Sequence, residues 1–558
     1  MLFPTVTFAV FFVAVFLAHL GLKDRPLAWK TMMLAASYVF YGWWNWRFCG
    51  LLALSTVANW AFGAVMADLP QRARRVVMVL AAAANLAMLG LFKYYGFFVE
   101  ALSSSIGTGG LPLLDFVLPI GISFFTFQAL SYVVDVYRRN LDGRPLLDFA
   151  VYLAFFPQLV AGPIVRATEF LPQLDRLTVR DSPTSPLTRP PIEVSEAAWL
   201  IGRGLFKKVV IASYLADTIV DPVFAAPSLA SKTDLLLAFY GYAVQIYADF
   251  SGYTDMAIGI ALLLGFRFPT NFDNPYRALS IQDFWRRWHM TLSRWLQDYL
   301  YIPLGGNRIS PLVTYRNLMA TMILGGLWHG AAWNFVAWGG VHGAALAGER
   351  YIGQRRRSWD WLDDEPAAGP STPDGVTSSK VDDGLATVDA TTAEATATQT
   401  GTVTAKNPQT GPETEAAAKT ATGTAAGGRE ALWRRVVRTI DRFDRSNSWV
   451  GPVVRWFITF HIVGLAWVLF RADSFGLAWD FFTALATAPL GGTDNPMVAL
   501  VVAAGIAAQL LPSRIGLRLQ LIYARMDPTL QSIGFGGWIF LASRLGPEGV
   551  APFIYFQF

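Results

Sequence analysis

The sequence has 558 residues, of which 53% are hydrophobic and only 15% are charged, a composition that excludes an ordinary soluble enzyme. Its net charge of +5 gives no reason to expect a nucleic-acid partner, and its one cysteine, Cys49, cannot form an intrachain disulfide. Apolar runs of about 17 to 25 residues, long enough to cross a bilayer as helices, recur along nearly the whole chain. Because helices satisfy their own backbone hydrogen bonds in lipid, the sequence predicts an all-α, polytopic membrane bundle.

About eleven or twelve apolar segments are predicted, some of them re-entrant or interfacial. In chain order they are 3–22, 31–48, 50–67, 76–92, 112–136, 197–219, 234–264, 317–347, 452–471, 476–490, 496–512 and 533–546. The first segment lacks a basic n-region and an A-x-A cleavage site, so we expect a retained first helix rather than a signal peptide.

Basic residues follow the first, third and fifth segments, whereas the intervening loops are almost free of them. The residues are Lys23, Arg25, Lys30, Arg72, Arg74, Arg75, Arg138, Arg139 and Arg144. By the positive-inside rule the N-terminus is then outside, and the odd-numbered spans run inward. A further basic cluster between 266 and 317 places that region on the cytoplasmic side.

Residues 363–428 are rich in Thr, Ala, Gly, Ser, Pro and Asp and carry almost no large apolar side chains. Such a segment cannot bury enough surface to fold, so it is predicted to be a disordered insert between a 1–362 core and the C-terminal transmembrane helices of 429–558. Arginines on both sides of the insert indicate that both of its ends are cytoplasmic. Segment 317–347 would then be a hairpin, with Gly330, Gly339 and Gly340 as candidate breaks; a single full crossing would instead place the insert outside.

A cytoplasmic interfacial helix is predicted near 281–301, because Ser280 followed by Asp283 forms a capping signal. One face carries apolar side chains: Trp285, Trp288, Leu292, Trp295, Leu296 and Tyr299. The opposite face carries polar ones: Asp283, Arg286, Arg287, Arg294, Gln297 and Asp298. His289 falls on the apolar face and is expected to point into protein; an incidental histidine on a membrane-surface helix is the alternative.

The stretch LGGLWHGAAWN, residues 324–334, holds His329 in a segment apolar enough for a membrane. An ionisable residue in that position indicates a functional site, and burial would keep the imidazole neutral, as a general base requires. The alternative is a neutral imidazole that bonds a neighbouring helix. No metal site is expected, because no H-E-x-x-H motif or cysteine pair accompanies the five histidines. His342, about 20 Å further along a continuous helix, is expected to be structural or supporting.

A polar stripe of Gln245, Asp249 and Tyr253 runs along another membrane segment at i, i+4 and i+8. Asp249 would orient a partner side chain or relay a proton. A buried ion pair that fixes helix packing is the alternative for such an aspartate.

Four motifs follow one another along the chain: FPQLVAGPIVR at 156–166, YADFSGYTDMAIGIALLLGFRFPTNFDNPY at 247–276, DFWRRWHMTLSRWLQDYLYIPLGGNR at 283–308, and GGLWHGAAWNFVAWGGVHG at 325–343. Together they resemble the membrane-bound O-acyltransferase family, in particular its bacterial branch of alginate O-acetylases and the D-alanyl transfer protein of teichoic acids. The resemblance covers most of 1–350, and HIVGLAWVLFRA at 461–472 fits it, whereas the insert departs from it.

The resemblance implies a bundle around a narrow central tunnel, in which an acyl group passes from a thioester to a hydroxyl. His329 matches the family's invariant histidine and would act as the base, while His289 matches a second histidine that would position the donor carbonyl or assist proton transfer. The substrate or tunnel candidates are Trp285, Trp288, Asp249, Tyr253, Trp328 and Asn334. Arg286, Arg287 and Arg294 would hold donor phosphates, or alternatively anionic lipid headgroups.

The resemblance also implies partners and a location. The donor would be acetyl-CoA or an acyl-carrier thioester, used as a co-substrate with no tightly bound cofactor. The protein would lie in the bacterial inner membrane, in contact with lipids, beside an extracytoplasmic partner of hydrolase-like fold. The acceptor would be a cell-envelope polysaccharide or that partner; acylation of a lipid or small metabolite, and a non-enzymatic exporter of polar solutes, are the alternatives.

Overall fold

A computed structural model describes residues 1–106, 117–178, 192–363, 450–491 and 495–545. All regular secondary structure in these ranges is helical, which confirms the all-α prediction. The predicted insert 363–428 lies outside the described residues, apart from Asp363. By its contacts the chain divides into two units, Met1–Arg350 with Pro452–Phe558, and Tyr351–Gly451. All the candidate site residues belong to the first unit; in the second, the Arg355 guanidinium lies over the Tyr351 ring.

The helices are numbered here in chain order. The first nine are α1 Val6–Leu22, α2 Pro26–Gly42, α3 Arg47–Ala67, α4 Gln71–Leu89, α5 Tyr95–Ile106, α6 Ile122–Tyr137, α7 Leu146–Ala154, α8 Phe156–Leu159 and α9 Ala167–Thr178. The next eight are α10 Val194–Leu205, α11 Ser213–Leu215, α12 Asp221–Ala225, α13 Lys232–Leu263, α14 Ile281–Arg287, α15 Met290–Leu296, α16 Pro311–His329 and α17 Trp333–Asp363. The last five are α18 Val450–Arg471, α19 Phe475–Thr487, α20 Pro496–Leu510, α21 Ser513–Ala524 and α22 Pro528–Leu545.

Three described helices are long and apolar enough to cross a membrane: Arg47–Ala67, Gln71–Ser105 and Val450–Arg471. A fourth span results if Pro496–Leu510 and Arg514–Ala524, which meet at 92°, are one broken helix. The protein is therefore a multi-pass membrane protein. Fewer helices meet this test than the sequence predicts as spans, because some predicted segments are short helices and others carry charged residues in their interior.

Helix α13 illustrates how such charges are accommodated. A Cβ on either Gly204 of α10 or Gly252 of α13 would collide with the other's carbonyl oxygen, so the two backbones touch where the helices cross. This close approach brings Lys207 and Lys208, which follow Gly204, against Asp255 and Asp249 of α13. Charges that would be costly alone in a membrane are thereby paired.

Segment 317–347 is a hairpin, the first of the two predicted alternatives. Glycines on each helix face the backbone or side chains of the other: Gly326 lies against Phe335, and Gly339 against Met322. The break is at Gly330, where α16 ends with an extended residue (φ −155°); Gly339 and Gly340 lie inside α17. Up to Arg350, α17 therefore returns to the side of the bundle where α16 begins.

The interfacial segment near 281–301 is not one helix, so that prediction is wrong in its continuity. It breaks between α14 and α15 because a neighbouring loop takes the hydrogen bonds that would continue the helix. The carbonyl of Asn271 accepts from Met290 N (2.9 Å), and its side-chain Oδ1 accepts from Thr291 N (3.1 Å). The predicted burial holds across the break: the apolar face is buried except for half-buried Tyr299, and the charged face is exposed or half-buried.

Candidate active site

His329 is the last residue of α16 and is only 4% exposed. Its ring meets three aromatic side chains edge-on, with centroid distances of 5.0 Å to Trp328, 5.1 Å to Trp338 and 5.2 Å to Phe470. Two of these come from the hairpin and the third from α18. The hairpin and α18 thus hold the imidazole at a helix end within an aromatic enclosure.

His289 lies in the break between α14 and α15 and is fully buried. Its backbone is left-handed (φ 41°), and its Nδ1 accepts a hydrogen bond from Leu292 N at 3.3 Å, so the side chain caps α15. The ring packs edge-on against Phe250 of α13 at 4.7 Å. Within the described ranges its Nε2 has no hydrogen-bond partner, which leaves that nitrogen available to a substrate.

Trp328 connects the two histidines. Its ring centroid is 5.0 Å from that of His329 and 6.2 Å from that of His289, and it stacks on Phe127 of α6 at 5.2 Å. The structure therefore brings together three residues that the sequence placed on two separate motifs.

A cavity of about 630 Å³ reaches His329. Its lining residues come mainly from the N-terminal segment, the end of α2, the π turn after α4 and the start of α6: Met1, Leu2, Thr5, Thr7, Phe40, Tyr41, Trp43, Trp44, Lys93, Leu118, Pro119, Ile120, Gly121, Ile122, Ser123, Phe124, Val160, Trp328 and His329. This end of the bundle is the one that the positive-inside rule places outside the cytoplasm. The cavity thus leads from the predicted outer face to the imidazole.

Lys93 is a lining residue that the sequence reasoning missed. The predicted segment 76–92 ends one residue before it, whereas in the structure the helix continues through a π turn, Gly90–Tyr94, into α5. A lone lysine in the apolar run LGLFKYYGFF was the available signal, since an ionisable residue in a membrane segment indicates function as it does for His329.

Trp285 and Trp288 are not among the residues that line this cavity and lie in an aromatic cluster. Trp285 meets Trp338 at 5.7 Å and His342 at 5.1 Å, while Trp288 meets Trp467 at 4.9 Å. His342 is fully buried, and Trp338 packs against both its ring, at 4.8 Å, and the ring of His329, at 5.1 Å.

Asn334, Asp249 and Tyr253 are not among the residues that line the cavity. Asn334 donates from Nδ2 to the carbonyl of Ala472 at 2.7 Å and so fixes the start of α17 to the residue after α18. Asp249 forms a buried ion pair with Lys208. This is the second of the two hypotheses for Asp249, an ion pair that fixes helix packing. Tyr253 stacks on Phe3 with a centroid distance of 4.5 Å.

The three candidate phosphate-binding arginines differ in what they already bind. Arg287 pairs with Asp283 (2.9 Å) and Asp273 (3.1 Å), while Arg294 lies 3.8 Å from Glu169. Arg286 is exposed and forms no ion pair in the part of the chain that the structure describes. Arg286 is therefore the one best placed to meet a phosphate or a lipid headgroup.

Among the described residues, no three His, Cys, Asp or Glu side chains lie close enough to hold a metal ion. The fold and the site together describe a membrane protein with two buried histidines, one of which lines a cavity. The family model of the membrane-bound O-acyltransferases matches residues 40–363, more than half of the chain, and includes both histidines. The chain belongs to the membrane-bound O-acyltransferase family, which confirms the resemblance.

Three relatives carry more specific names. The chain is 42% identical over 359 residues to the probable alginate O-acetylase AlgI of Pseudomonas aeruginosa, covering 63% of this chain and 66% of that protein. It is 38% identical over 389 residues to the peptidoglycan O-acetyltransferase of Helicobacter pylori, covering 64% and 72%. It is 26% identical over 261 residues to the teichoic acid D-alanyltransferase of Bacillus subtilis, covering 44% and 62%. The matched part thus spans about two thirds of the length of these relatives.

Proposed function

We propose that this protein is a membrane O-acetyltransferase that moves an acetyl group from a thioester donor to a hydroxyl of a cell-envelope polysaccharide, or of an extracytoplasmic partner that passes it on. The observation that carries the proposal is His329, a buried histidine that lines a cavity in a chain of this family. The names of the alginate and peptidoglycan relatives support the acetyl group and the polysaccharide.

His329 acts as the general base. As the hydroxyl oxygen attacks the thioester carbonyl carbon, the C–O bond forms and the C–S bond breaks. The hydroxyl proton passes to the imidazole and then to the departing thiolate sulfur, so the histidine returns to its neutral form. The base acts only if the hydroxyl reaches the ring, and the cavity that ends at His329 supports that approach.

His289 acts as a hydrogen-bond donor. Because its Nδ1 accepts from Leu292 N, the neutral ring carries its proton on Nε2. A buried N–H suits the thioester carbonyl oxygen, on which negative charge develops during attack. The two histidines thereby divide the chemistry, one removing a proton and the other stabilising the oxyanion.

The aromatic packing around the histidines keeps water from the thioester. Trp328, Trp338 and Phe470 enclose His329, and each of the three is buried. Excluding water matters because hydrolysis of the donor competes with transfer and because hydrogen bonds to the oxyanion strengthen in a dry site.

The cavity is the proposed acceptor site. Its volume of about 630 Å³ lies within the range of small-molecule sites, about 300 to 1,000 Å³. Hydroxyl groups of Thr5, Thr7 and Ser123 and the indoles of Trp43 and Trp44 line it. This mixture suits the hydroxyls and the apolar faces of a sugar ring, or a peptide segment that presents a hydroxyl.

The donor approaches from the opposite, cytoplasmic face, where α14 and α15 carry their charged side chains. Arg286 is exposed there and meets the phosphates of coenzyme A or of a phosphopantetheine carrier. The location of the protein is the inner membrane of a bacterium. An extracytoplasmic partner of hydrolase-like fold completes delivery to polymers too large for the cavity.

A thioester assay tests the reaction. Purified protein in detergent, given acetyl-CoA and an oligosaccharide acceptor, is expected to release thiol and form an acetyl ester; His329→Ala is expected to lower the rate about 100-fold or more. His289→Ala is expected to lower it as well. His461→Ala is the matched control. His461 lies on α18, outside the candidate site, and its Nε2 is hydrogen-bonded to the Tyr240 hydroxyl at 3.0 Å. Equal turnover in the wild type and the His329 variant would exclude the catalytic assignment.

The acceptor is tested in cells. Envelope polysaccharides from cells with and without the gene are compared by mass spectrometry, and we expect O-acetyl esters to fall when the gene is absent or carries His329→Ala. An unchanged acetyl content, together with thiol release by the purified protein, would retain the acyltransferase and reject the polysaccharide acceptor.

A further inference from the structure

The helix that carries His329 ends without a cap of its own. Its last residue is His329, and Gly330 follows in an extended conformation, which does not provide the left-handed turn that commonly closes helix ends. The Gly330 N–H bonds back to Gly326 O at 3.3 Å, but the carbonyls of the next three residues point beyond the helix.

Two consecutive side chains from another helix meet those three carbonyls. The Tyr94 hydroxyl donates to Leu327 O at 2.8 Å. The Lys93 ammonium donates to Trp328 O at 2.6 Å and to His329 O at 3.0 Å. Lys93 also lies 3.4 Å from the hydroxyl of Ser123 on α6.

We propose that Lys93 and Tyr94 form a carbonyl clamp that fixes the end of α16 and thereby holds the His329 imidazole in its reactive position. The proposal rests on the proposed function, since it takes His329 as the base. Lys93 and Tyr94 are positioning residues in this role, because both act through the backbone of the histidine helix.

The physical reason for the clamp is that the last turn of a helix frays when its carbonyls are unbonded. A buried carbonyl without a partner is destabilising, and without Lys93 and Tyr94 three carbonyls directly beside the reacting group would lose these bonds. An ammonium at a helix C-terminus also interacts favourably with the negative end of the helix dipole. The clamp thus bonds the carbonyls and places a positive charge where the helix favours one.

The local structure of the clamp supports a specific role. Both residues lie in the π turn Gly90–Tyr94, which interrupts an otherwise long α-helical segment. A π turn carries one extra residue, so it changes which side chains face a neighbouring helix, and such turns are frequent at functional sites. Here two adjacent residues of the turn reach the same helix end.

Lys93 also lines the cavity together with Ser123 and His329. An acceptor that fills the cavity therefore contacts the clamp as well as the histidine. An alternative role for Lys93, direct binding of the acceptor, predicts a different kinetic result and can be separated from the clamp by experiment.

The test compares Lys93→Met, Lys93→Arg and Tyr94→Phe with two control variants. Lys232→Met removes a lysine that donates to the carbonyl of Ala486 at 3.3 Å, near the end of α19 and away from His329. Tyr523→Phe removes a tyrosine that donates to Gln531 O at 3.2 Å. Each control loses the same type of bond at an unrelated place.

We expect Lys93→Met to lower kcat about 100-fold, the effect of a small displacement of a catalytic group, with the acceptor KM changed less than about threefold. Lys93→Arg is expected to restore at least a tenth of wild-type kcat, because a guanidinium also donates to two carbonyls. Tyr94→Phe is expected to lower kcat about tenfold, since it removes one of the three bonds. The control variants are expected to keep wild-type kcat.

Hydrogen–deuterium exchange of the peptide containing residues 326–332 gives a readout that does not depend on activity. We expect faster exchange in Lys93→Met and Tyr94→Phe than in the wild type or in the controls. The proposal would be overturned if Lys93→Met and Tyr94→Phe both kept the wild-type kcat and the wild-type rate of hydrogen–deuterium exchange. It would also be overturned if Lys93→Met raised the acceptor KM at constant kcat.

The activity of His329→Ala separates failure of the clamp from failure of the proposed function. Full activity of His329→Ala would reject the proposed function. An inactive His329→Ala, together with clamp variants that behave as the wild type, would reject the clamp alone.

Discussion

The two histidines of the site are held by different backbone conformations. His329 ends a regular helix, whereas His289 adopts a left-handed conformation (φ 41°) and caps the helix that follows it. A left-handed backbone is uncommon for residues other than glycine, although asparagine, aspartate and histidine adopt it more often than most, and such positions cluster at functional sites. The His289 side chain therefore serves the fold through Nδ1 and is available to a substrate through Nε2.

Replacement of His289 by asparagine separates these two roles. Asparagine tolerates the left-handed conformation and caps helices well. The free energy of unfolding of His289→Asn is therefore expected to lie within about 1 kcal/mol of the wild-type value. Transfer activity is expected to fall as far as in His289→Ala, because the Nε2 donor is lost in both. Thermal unfolding and the thioester assay measure the two effects; full activity in His289→Asn would contradict a role for Nε2.

At the scale of helices, the hairpin of α16 and α17 determines where His329 lies. The close contact between α16 and α17 depends on small residues. Near Arg350, α17 is also bonded to the segment that carries His289, because the Glu349 carboxylate accepts hydrogen bonds from Ile281 N (2.5 Å) and Gln282 N (3.1 Å) at the start of α14. The hairpin thus carries His329 itself and is hydrogen-bonded to α14, the helix that precedes His289.

Two adjacent glycines of α17 provide a matched pair of substitutions. A Cβ at Gly339 would collide with the backbone of α16 at Met322, whereas a Cβ at Gly340 would meet open space. Gly339→Ala is therefore expected to push α16 and α17 apart. We expect a lower midpoint temperature of thermal unfolding and a kcat lowered about tenfold or more.

Gly340→Ala is the control for this pair. It is expected to keep full activity and to gain up to about 1 kcal/mol of stability, the usual preference for alanine over glycine in a helix. Similar behaviour of the two variants in unfolding and activity assays would contradict the close contact between α16 and α17.

At the scale of the whole molecule, the helices place two chemically different regions on opposite faces. Helix α13, with 32 residues, spans about 48 Å and separates the loop before Lys232 from the basic loop around Arg267. By the positive-inside rule, the N-terminal residues that line the cavity lie toward the first face, and the charged side chains of α14 and α15 lie toward the second.

Cysteine labelling tests this arrangement. In a Cys49→Ser background, Ser228→Cys lies before α13 and Asn307→Cys lies before α16, and both positions are exposed. We expect an impermeant maleimide to label the first in intact right-side-out spheroplasts and the second only after permeabilisation. Labelling of both positions in intact spheroplasts would contradict the predicted orientation.

Part of the site could be predicted from local sequence. His329 is predicted because an ionisable group in an apolar segment is costly and indicates function, whereas Trp328 and the role of His289 follow only from the family resemblance. The buried face of the interfacial segment also followed from residue spacing. Lys93 was missed because the predicted span ends at residue 92, although the same reasoning about charge in a membrane applies to it.

The break between α14 and α15 could not be predicted from the segment itself. Ser280 and the apolar spacing favour one continuous helix, and only the loop at Asn271, far along the chain from the capping signal, diverts the amides of Met290 and Thr291. The choice between ion pair and proton relay for Asp249 likewise required the position of Lys208 on another helix.

The sequence by itself determined that this is a helical membrane protein with buried histidines, because composition, apolar length and the cost of intramembrane charge are local properties. Only the tertiary structure decided that 317–347 is a hairpin, that Trp328 joins the two histidines, and that Lys93 and Tyr94 meet the end of α16. Those outcomes depend on which helices touch, and contacts between distant residues are set by close packing at glycines and by hydrogen bonds that no single segment contains.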